Sequence, residues 1–108
     1  MVKFKNKYAL YIPSTIGGDT IDKDLHDAHT RGYANMMLAE FGGVTITKGI
    51  GMWTNEAKTT VTENVSIITA STSIDAFEFM QMLAENVKNL LKQECVSLEV
   101  NGVLYLIL

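Results

Sequence analysis

Ile74-Asp-Ala-Phe-Glu-Phe-Met-Gln-Met-Leu-Ala-Glu-Asn-Val-Lys-Asn-Leu-Leu-Lys92 carries the most regular apolar pattern in the chain. Ile74, Phe77, Met80, Leu83, Ala84, Val87, Leu90 and Leu91 recur at three- and four-residue intervals, the spacing of one face of an α-helix. Thr72 and Asp75 have the arrangement of a capping box and predict where that helix starts. Upstream, the pattern changes to strict alternation. From about Thr59 to Thr69, Val61, Glu63, Val65 and Ile67 share one face of a strand, and Thr60, Thr62, Asn64, Ser66 and Ile68 share the other. Downstream, Val96, Leu98 and Val100 alternate with Ser97 and Glu99. Asn101-Gly102 then supplies a two-residue hairpin turn, and Val103–Leu108 returns.

The same two patterns occur earlier. Tyr8, Leu10 and Ile12 alternate over Lys7–Pro13, and the proline ends the run because it has no N–H to donate to a ladder. Ser14-Thr-Ile-Gly-Gly-Asp-Thr20 is turn chemistry, and Thr20 or Asp22 can cap a helix over Asp22–Phe41. Leu25, Ala28, Gly32, Met36 and Ala39, widened by Tyr33, Met37 and Phe41, give that helix an apolar face, with Gly32 as the expected point of close packing on the sheet. Gly42-Gly43 stops it and Val44–Ile50 alternates as a strand. The glycines and tryptophan of Gly49–Lys58 predict a bulged strand end and a hairpin loop longer than two residues. The resulting order, β-α-β-β-α-β plus a C-terminal hairpin strand, predicts an α+β fold. It is a ferredoxin-like split βαβ sandwich, with two helices on one face of an antiparallel sheet.

A chain of 108 residues with 47% hydrophobic content is one domain able to bury its own core without disulfides. Its single cysteine, Cys95, and its lysine-rich start, with no apolar leader, point to a reducing, cytoplasmic setting. The longest apolar run, Val103–Leu108, is far short of the roughly 20 residues that span a membrane. A net charge of −3 argues against general nucleic-acid binding, which needs a basic footprint. Lys3, Lys5 and Lys7 would share one face only if the first strand reached the N-terminus. Because Val103–Leu108 is apolar at every position, both its faces should be covered. Two helices cover one face of the sheet, so a second subunit is expected over Tyr11, Thr45, Thr47, Ser66 and Ile68 on the other.

No catalytic constellation has recognisable spacing. Asp22, His26 and His29 fall at i, i+4 and i+7, compatible with metal ligation, although the commoner reading is the polar first half of an amphipathic helix. His29 as a base near Tyr33 lacks a nucleophile. Glu63 shares a face with Val65 and Ile67, so it either reaches water or an ion pair with Lys48 or Lys58 at the strand end, or meets a ligand. Trp53, after Gly49-Ile-Gly51, can stack on a flat ligand or plug the core. Gly17-Gly18 before a helix start resembles an anion cradle only if Arg31 or Lys48 offsets Asp19 and Asp22. Cys95 reads as a small buried residue, and the methionines as core and interface filling.

Phe41-Gly-Gly-Val-Thr45, Gly49-Ile-Gly-Met-Trp53 and Glu63, with the aromatic Tyr8-Ala-Leu-Tyr-Ile12, resemble a loose group of small bacterial and phage proteins of unknown function. That group shares a Phe-x-Gly-x-Thr segment, a Gly-x-x-Trp segment and a Glu in the next strand. The resemblance implies the split βαβ fold and no transferable active site. By analogy it also implies a phage anti-defence role in the host cytoplasm.

The reading that results is a non-enzymatic, homo-oligomeric protein without a cofactor, binding a small anionic, nucleotide-like ligand near Trp53, Lys48, Arg31, Glu63 and Tyr11. The alternatives are a dimeric αβ-barrel enzyme with an aromatic substrate, its cavity lined by Tyr11, Trp53 and His29, and a protein-binding inhibitor presenting Asp22, Asp24 and Asp27.

Overall fold

The computed structural model describes residues 1–108. β1 (Asn6–Pro13) leads into a miniature hairpin, β2 (Thr15–Ile16) and β3 (Asp19–Thr20). It is closed by Gly17 and Gly18, whose φ angles of +58° and +90° are the left-handed pair a type I′ turn requires. α1 (Lys23–Phe41), β4 (Thr45–Thr54), β5 (Thr60–Thr72), α2 (Phe77–Leu90), β6 (Val96–Val100) and β7 (Val103–Ile107) follow. The main sheet has the order β4-β5-β1-β6-β7 with every neighbouring pair antiparallel, and both helices pack on one of its faces. This is the expected split βαβ sandwich with its added strand.

The core lies between sheet and helices. Tyr8, Leu10 and Ile12 of β1, Ile68 and Ala70 of β5, and Val96 and Leu98 of β6 meet Tyr33, Ala34 and Met37 of α1 and Met80, Leu83, Ala84 and Val87 of α2, all buried. Asp22 caps α1 by accepting from the Leu25 N–H at 2.8 Å, and Gly42, with φ +82°, ends it.

Several local expectations are corrected. The buried stripe of α1 is His26, Thr30, Tyr33, Ala34 and Met37, about one residue round from the predicted face, which leaves Leu25 and Met36 partly exposed. The polar members are accommodated because His26 Nε2 bonds the Ile12 carbonyl at 3.0 Å and the Thr30 hydroxyl donates to the His26 carbonyl at 2.9 Å. Gly32 faces away from the sheet, with no atom near a would-be Cβ. α2 begins at Phe77, four residues later than a capping box at Thr72 predicts. The Thr72 hydroxyl accepts from Ile74 N–H and the Asp75 carboxylate from Phe77 N–H, while the Ala76 N–H is taken by the buried Tyr8 hydroxyl at 2.7 Å. β1 starts at Asn6, so Lys3 and Lys5 precede it.

The parity of β5 is reversed from expectation. Ser66 and Ile68 are fully buried under the helices, and Glu63, Val65 and Ile67 lie on the helix-free face. β4 has no bulge, since its register with β5 is continuous from Thr45–Thr69 to Thr54–Thr60. The hairpin loop, residues 55–59, is longer than two residues as expected, with Asn55 accepting from Thr59 N–H and Oγ1, and Lys58 at φ +66°. Because β1 pairs with β5 only as far as Pro13–Val65, Ile50–Asn64 project as a two-stranded arm, and the molecule measures 48 × 27 × 22 Å.

Candidate functional site

The helix-free face is formed by odd-numbered residues of β1, β4, β5 and β6 and even-numbered residues of β7, as the cross-strand register dictates. A cavity of about 550 Å³ opens on this face where the arm leaves the sheet. Gly49 and Gly51 form part of its floor, standing opposite Val65 and Glu63 in the β4–β5 ladder. A Cβ at Gly51 would sit 4.0 Å from both Val65 Cγ1 and Trp53 Cζ3, so the missing side chains contribute directly to the empty space. Tyr11, Trp53, Val65, Ile67, Leu104 and Leu106 supply most of the apolar and aromatic wall.

Glu63 is the only charged residue lining the cavity. Its Oε2 is buried and has no hydrogen-bond partner. Burial pushes its carboxyl above the ordinary glutamate range, offset in part by the Thr15 hydroxyl beside it and by the charge of His26. A desolvated carboxylate oxygen without a donor is costly in a folded protein and is relieved by a ligand that brings a hydroxyl, an amine or a positive charge. Tyr11 enters the same cavity, its hydroxyl 3.5 Å from Glu99 Oε2 on the neighbouring strand. Burial, then the charge and hydrogen bond of Glu99, push the Tyr11 phenol up, so it remains a protonated donor. Trp53 is 46% exposed and presents an indole for stacking.

Of the residues singled out from sequence, Tyr11, Trp53 and Glu63 converge here. Lys48 does not, because its even position on β4 points to the helix side, where it pairs with Asp27 of α1. Arg31 lies exposed on α1, across the sheet from the cavity. Neither Lys48 nor Lys58 pairs with Glu63. The three metal candidates do not converge. The Asp22 carboxylate is the helix cap, His26 bonds the Ile12 carbonyl with Ser66 Oγ at 3.4 Å, and His29 has its Nδ1 buried without a partner. Tyr33 donates to Asn86 at 2.6 Å and makes no pair with His29. Cys95, expected to be buried, is exposed at the cavity wall.

Sequence reasoning missed Gln93, Thr15 and Glu99. The signal for Glu99 is the alternation with Val96 and Leu98: once those two are assigned to the core, Glu99 must face the open side. A second hollow of about 510 Å³, between Glu40 and the Asp75–Phe79 segment, contains none of the residues expected to bind ligand.

No family model matches the chain, and no curated protein matches it. Among solved structures, it is similar to a phage SAM lyase in complex with S-methyl-5′-thioadenosine. The TM-score is 0.72 at 16% identity, over 99% of this chain and 94% of that one. It is also similar to a phage SAM lyase in the apo state, with a TM-score of 0.70 at 17% identity and the same coverage. At these identities the likeness shows a shared fold across the whole chain. No helix is long and apolar enough to cross a membrane.

Proposed function

We propose that this protein binds S-adenosylmethionine or a close adenosyl sulfonium in the open-face cavity and cleaves it as a lyase, releasing S-methyl-5′-thioadenosine. The observation that carries this reading is the buried, partnerless Oε2 of Glu63 in a cavity lined by no lysine or arginine. Such a site disfavours a phosphate, so the ligand we infer is cationic at sulfur, unlike the anionic ligand expected from composition. A carboxylate suits a sulfonium, an ammonium or a ribose diol, and Trp53 and Tyr11 suit a purine face or a cation over a ring. The likeness to the phage SAM lyases supports the same ligand class.

The chemistry asks little of the protein. The bond between the sulfonium and the four-carbon chain breaks with its electron pair going to sulfur, which becomes a neutral thioether. The substrate's own carboxylate closes on the carbon released, giving a lactone, so atoms and charge balance without water. Orientation of that carboxylate and exclusion of solvent are the contributions required.

A second copy of the chain completes the enclosure in this reading. Val103, Leu104 and Leu106 of the edge strand β7 are each more than half exposed, and Leu104 and Leu106 line the cavity. If the gene is carried by a phage, removal of the methyl donor in the host cytoplasm would serve against defences that depend on methylation.

The test is incubation of the purified protein with S-adenosylmethionine, following S-methyl-5′-thioadenosine by liquid chromatography and mass spectrometry, beside Glu63→Gln. Turnover by the native protein and its loss in the variant are expected. Stoichiometric binding without turnover would replace the lyase by sequestration, and absence of both would overturn the reading.

A further inference from the structure

α2 ends in a turn that fixes Gln93 twice. Its backbone N–H reaches back to the Lys88 carbonyl at 2.9 Å across Lys92, whose φ of +51° is the left-handed step such a helix end uses. The side chain then folds over the same end. Its Nε2 is 2.9 Å from the Thr15 carbonyl, 3.0 Å from the Leu91 carbonyl and 3.2 Å from Thr15 Oγ1. Two of those acceptors are backbone carbonyls, which cannot donate, so the carboxamide has one orientation: reversed, it would set its own oxygen against both. The Leu91 carbonyl also accepts from the Gly17 N–H at 3.0 Å, which ties the miniature hairpin to the same point. Gln93 lines the cavity, and with its nitrogen spent, the polar side-chain atom it can offer a ligand is Oε1, an obligate acceptor. The other uncharged polar side chains of the lining differ, because the hydroxyls of Tyr11 and Ser97 and the thiol of Cys95 can give a hydrogen bond or take one.

We infer that Gln93 is a specificity-determining residue, whose Oε1 accepts a hydrogen bond from the exocyclic amine of a bound purine and so selects an aminopurine. The inference rests on the ligand site proposed above. Three kinds of donor are carried by an adenosyl sulfonium. The ribose hydroxyls can also accept, so a fixed acceptor does little to select them. The ammonium is matched better by the charge of Glu63, the one carboxylate of the lining. The exocyclic amine is neutral and donates only, because its lone pair is drawn into the ring, and a neutral carboxamide oxygen suits it. A freely turning glutamine would accommodate an amine or a carbonyl equally. Gln93 is held by two carbonyls of the protein, so an acceptor on the ligand meets an oxygen.

The experiment is calorimetric titration of the full chain with S-methyl-5′-thioadenosine and with two analogues, one carrying hydrogen and one a methoxy group in place of the exocyclic amine. The native protein is expected to bind the amine about five- to tenfold more tightly than the hydrogen analogue, the worth of one hydrogen bond. The methoxy analogue, which brings an acceptor and no donor, is expected to bind no better than the hydrogen one. Gln93→Leu is expected to bind all three alike. Equal binding of the amine and the hydrogen analogue by the native protein would overturn the inference and leave the ligand site standing, as would discrimination that persists in Gln93→Leu. Failure of the native protein to bind any of the three would overturn the ligand reading, and the inference with it. If Gln93→Leu does not fold, ¹³C NMR of the Gln93 carboxamide in the native chain decides the matter. S-methyl-5′-thioadenosine should move its Cδ resonance and the hydrogen analogue should not. A Cδ that responds equally to both, or to neither, would overturn the inference.

Discussion

Gly51 stands directly opposite Glu63 in the β4–β5 ladder, so the carboxylate that marks the cavity has no side chain facing it across the strand. The pairing gives a way to close the site without removing any group that would touch a ligand. A Cβ at Gly51 meets its neighbours at ordinary van der Waals distance, and a β-branched residue suits an exposed strand. Gly51→Val should change stability by no more than about 1 kcal/mol and weaken S-methyl-5′-thioadenosine binding at least about tenfold, or about 1.4 kcal/mol. Thermal denaturation and calorimetric titration measure the two effects.

Tyr8 links the sheet to the start of α2. Its buried hydroxyl accepts from Ala76 N–H at 2.7 Å, in place of a helix-capping side chain. Tyr8→Phe leaves that donor without a partner and should cost about 1–3 kcal/mol in urea denaturation. Asp75→Ala, which removes an exposed contact to Phe77 N–H, should cost less.

Asp27 holds two lysines, Lys23 at 2.8 Å and Lys48 of β4, and its carboxyl is lowered to about 2 by hydrogen bonds to Lys23 and then Lys48. A carboxyl depressed in the folded state contributes stability above its unfolded value and loses it as pH falls through the folded one. The contribution should therefore disappear between about pH 4 and pH 2. Lys48→Met should bring the NMR-detected Asp27 midpoint up towards the ordinary range. Salt should weaken the pair in the native chain, because it is exposed to solvent.

Trp53 is the sole tryptophan and is partly exposed beside the apolar edge strand, so its fluorescence reports on whatever covers the open face. Its emission should shift to the blue as protein concentration rises, in step with mass measured by sedimentation. Leu106→Asp should abolish both changes while leaving the circular dichroism unaltered.

Element order was readable because alternation and helical spacing depend on burial alone, and the sheet turned out as the pattern of Tyr8, Leu10 and Ile12 required. Which parity faces the helices was harder. β5 offers Val61, Val65 and Ile67 on one side and Ser66 and Ile68 on the other, and hydropathy favours the wrong choice. The fold buries Ser66 with His26 because a hydrogen bond offsets its polarity. The same cause rotated α1, where His26 and Thr30 occupy core positions that a hydropathy stripe assigns to Leu25 and Met36. At the site, Tyr11 was legible from the face expected to lack helices, Trp53 from the glycines that precede it, and Glu63 as a carboxylate sharing a strand face with Val65 and Ile67. Lys48 was misplaced because its charge was weighed without its parity. Gln93 and Thr15 left no signal, since their contact joins loops 78 residues apart.

The central strand is synthesised before both of its partners. β1 pairs on one side with β5 and on the other with β6, so its two neighbours lie about sixty and ninety residues downstream. β4–β5 and β6–β7 can zip as local hairpins, but neither can complete the core until Tyr8, Leu10 and Ile12 are inserted between them. A nascent chain must therefore carry this apolar strand unpaired until β5 and β6 have left the ribosome. The lysines at positions 3, 5 and 7 place positive charge beside that segment during the interval when it is most open to association with other chains.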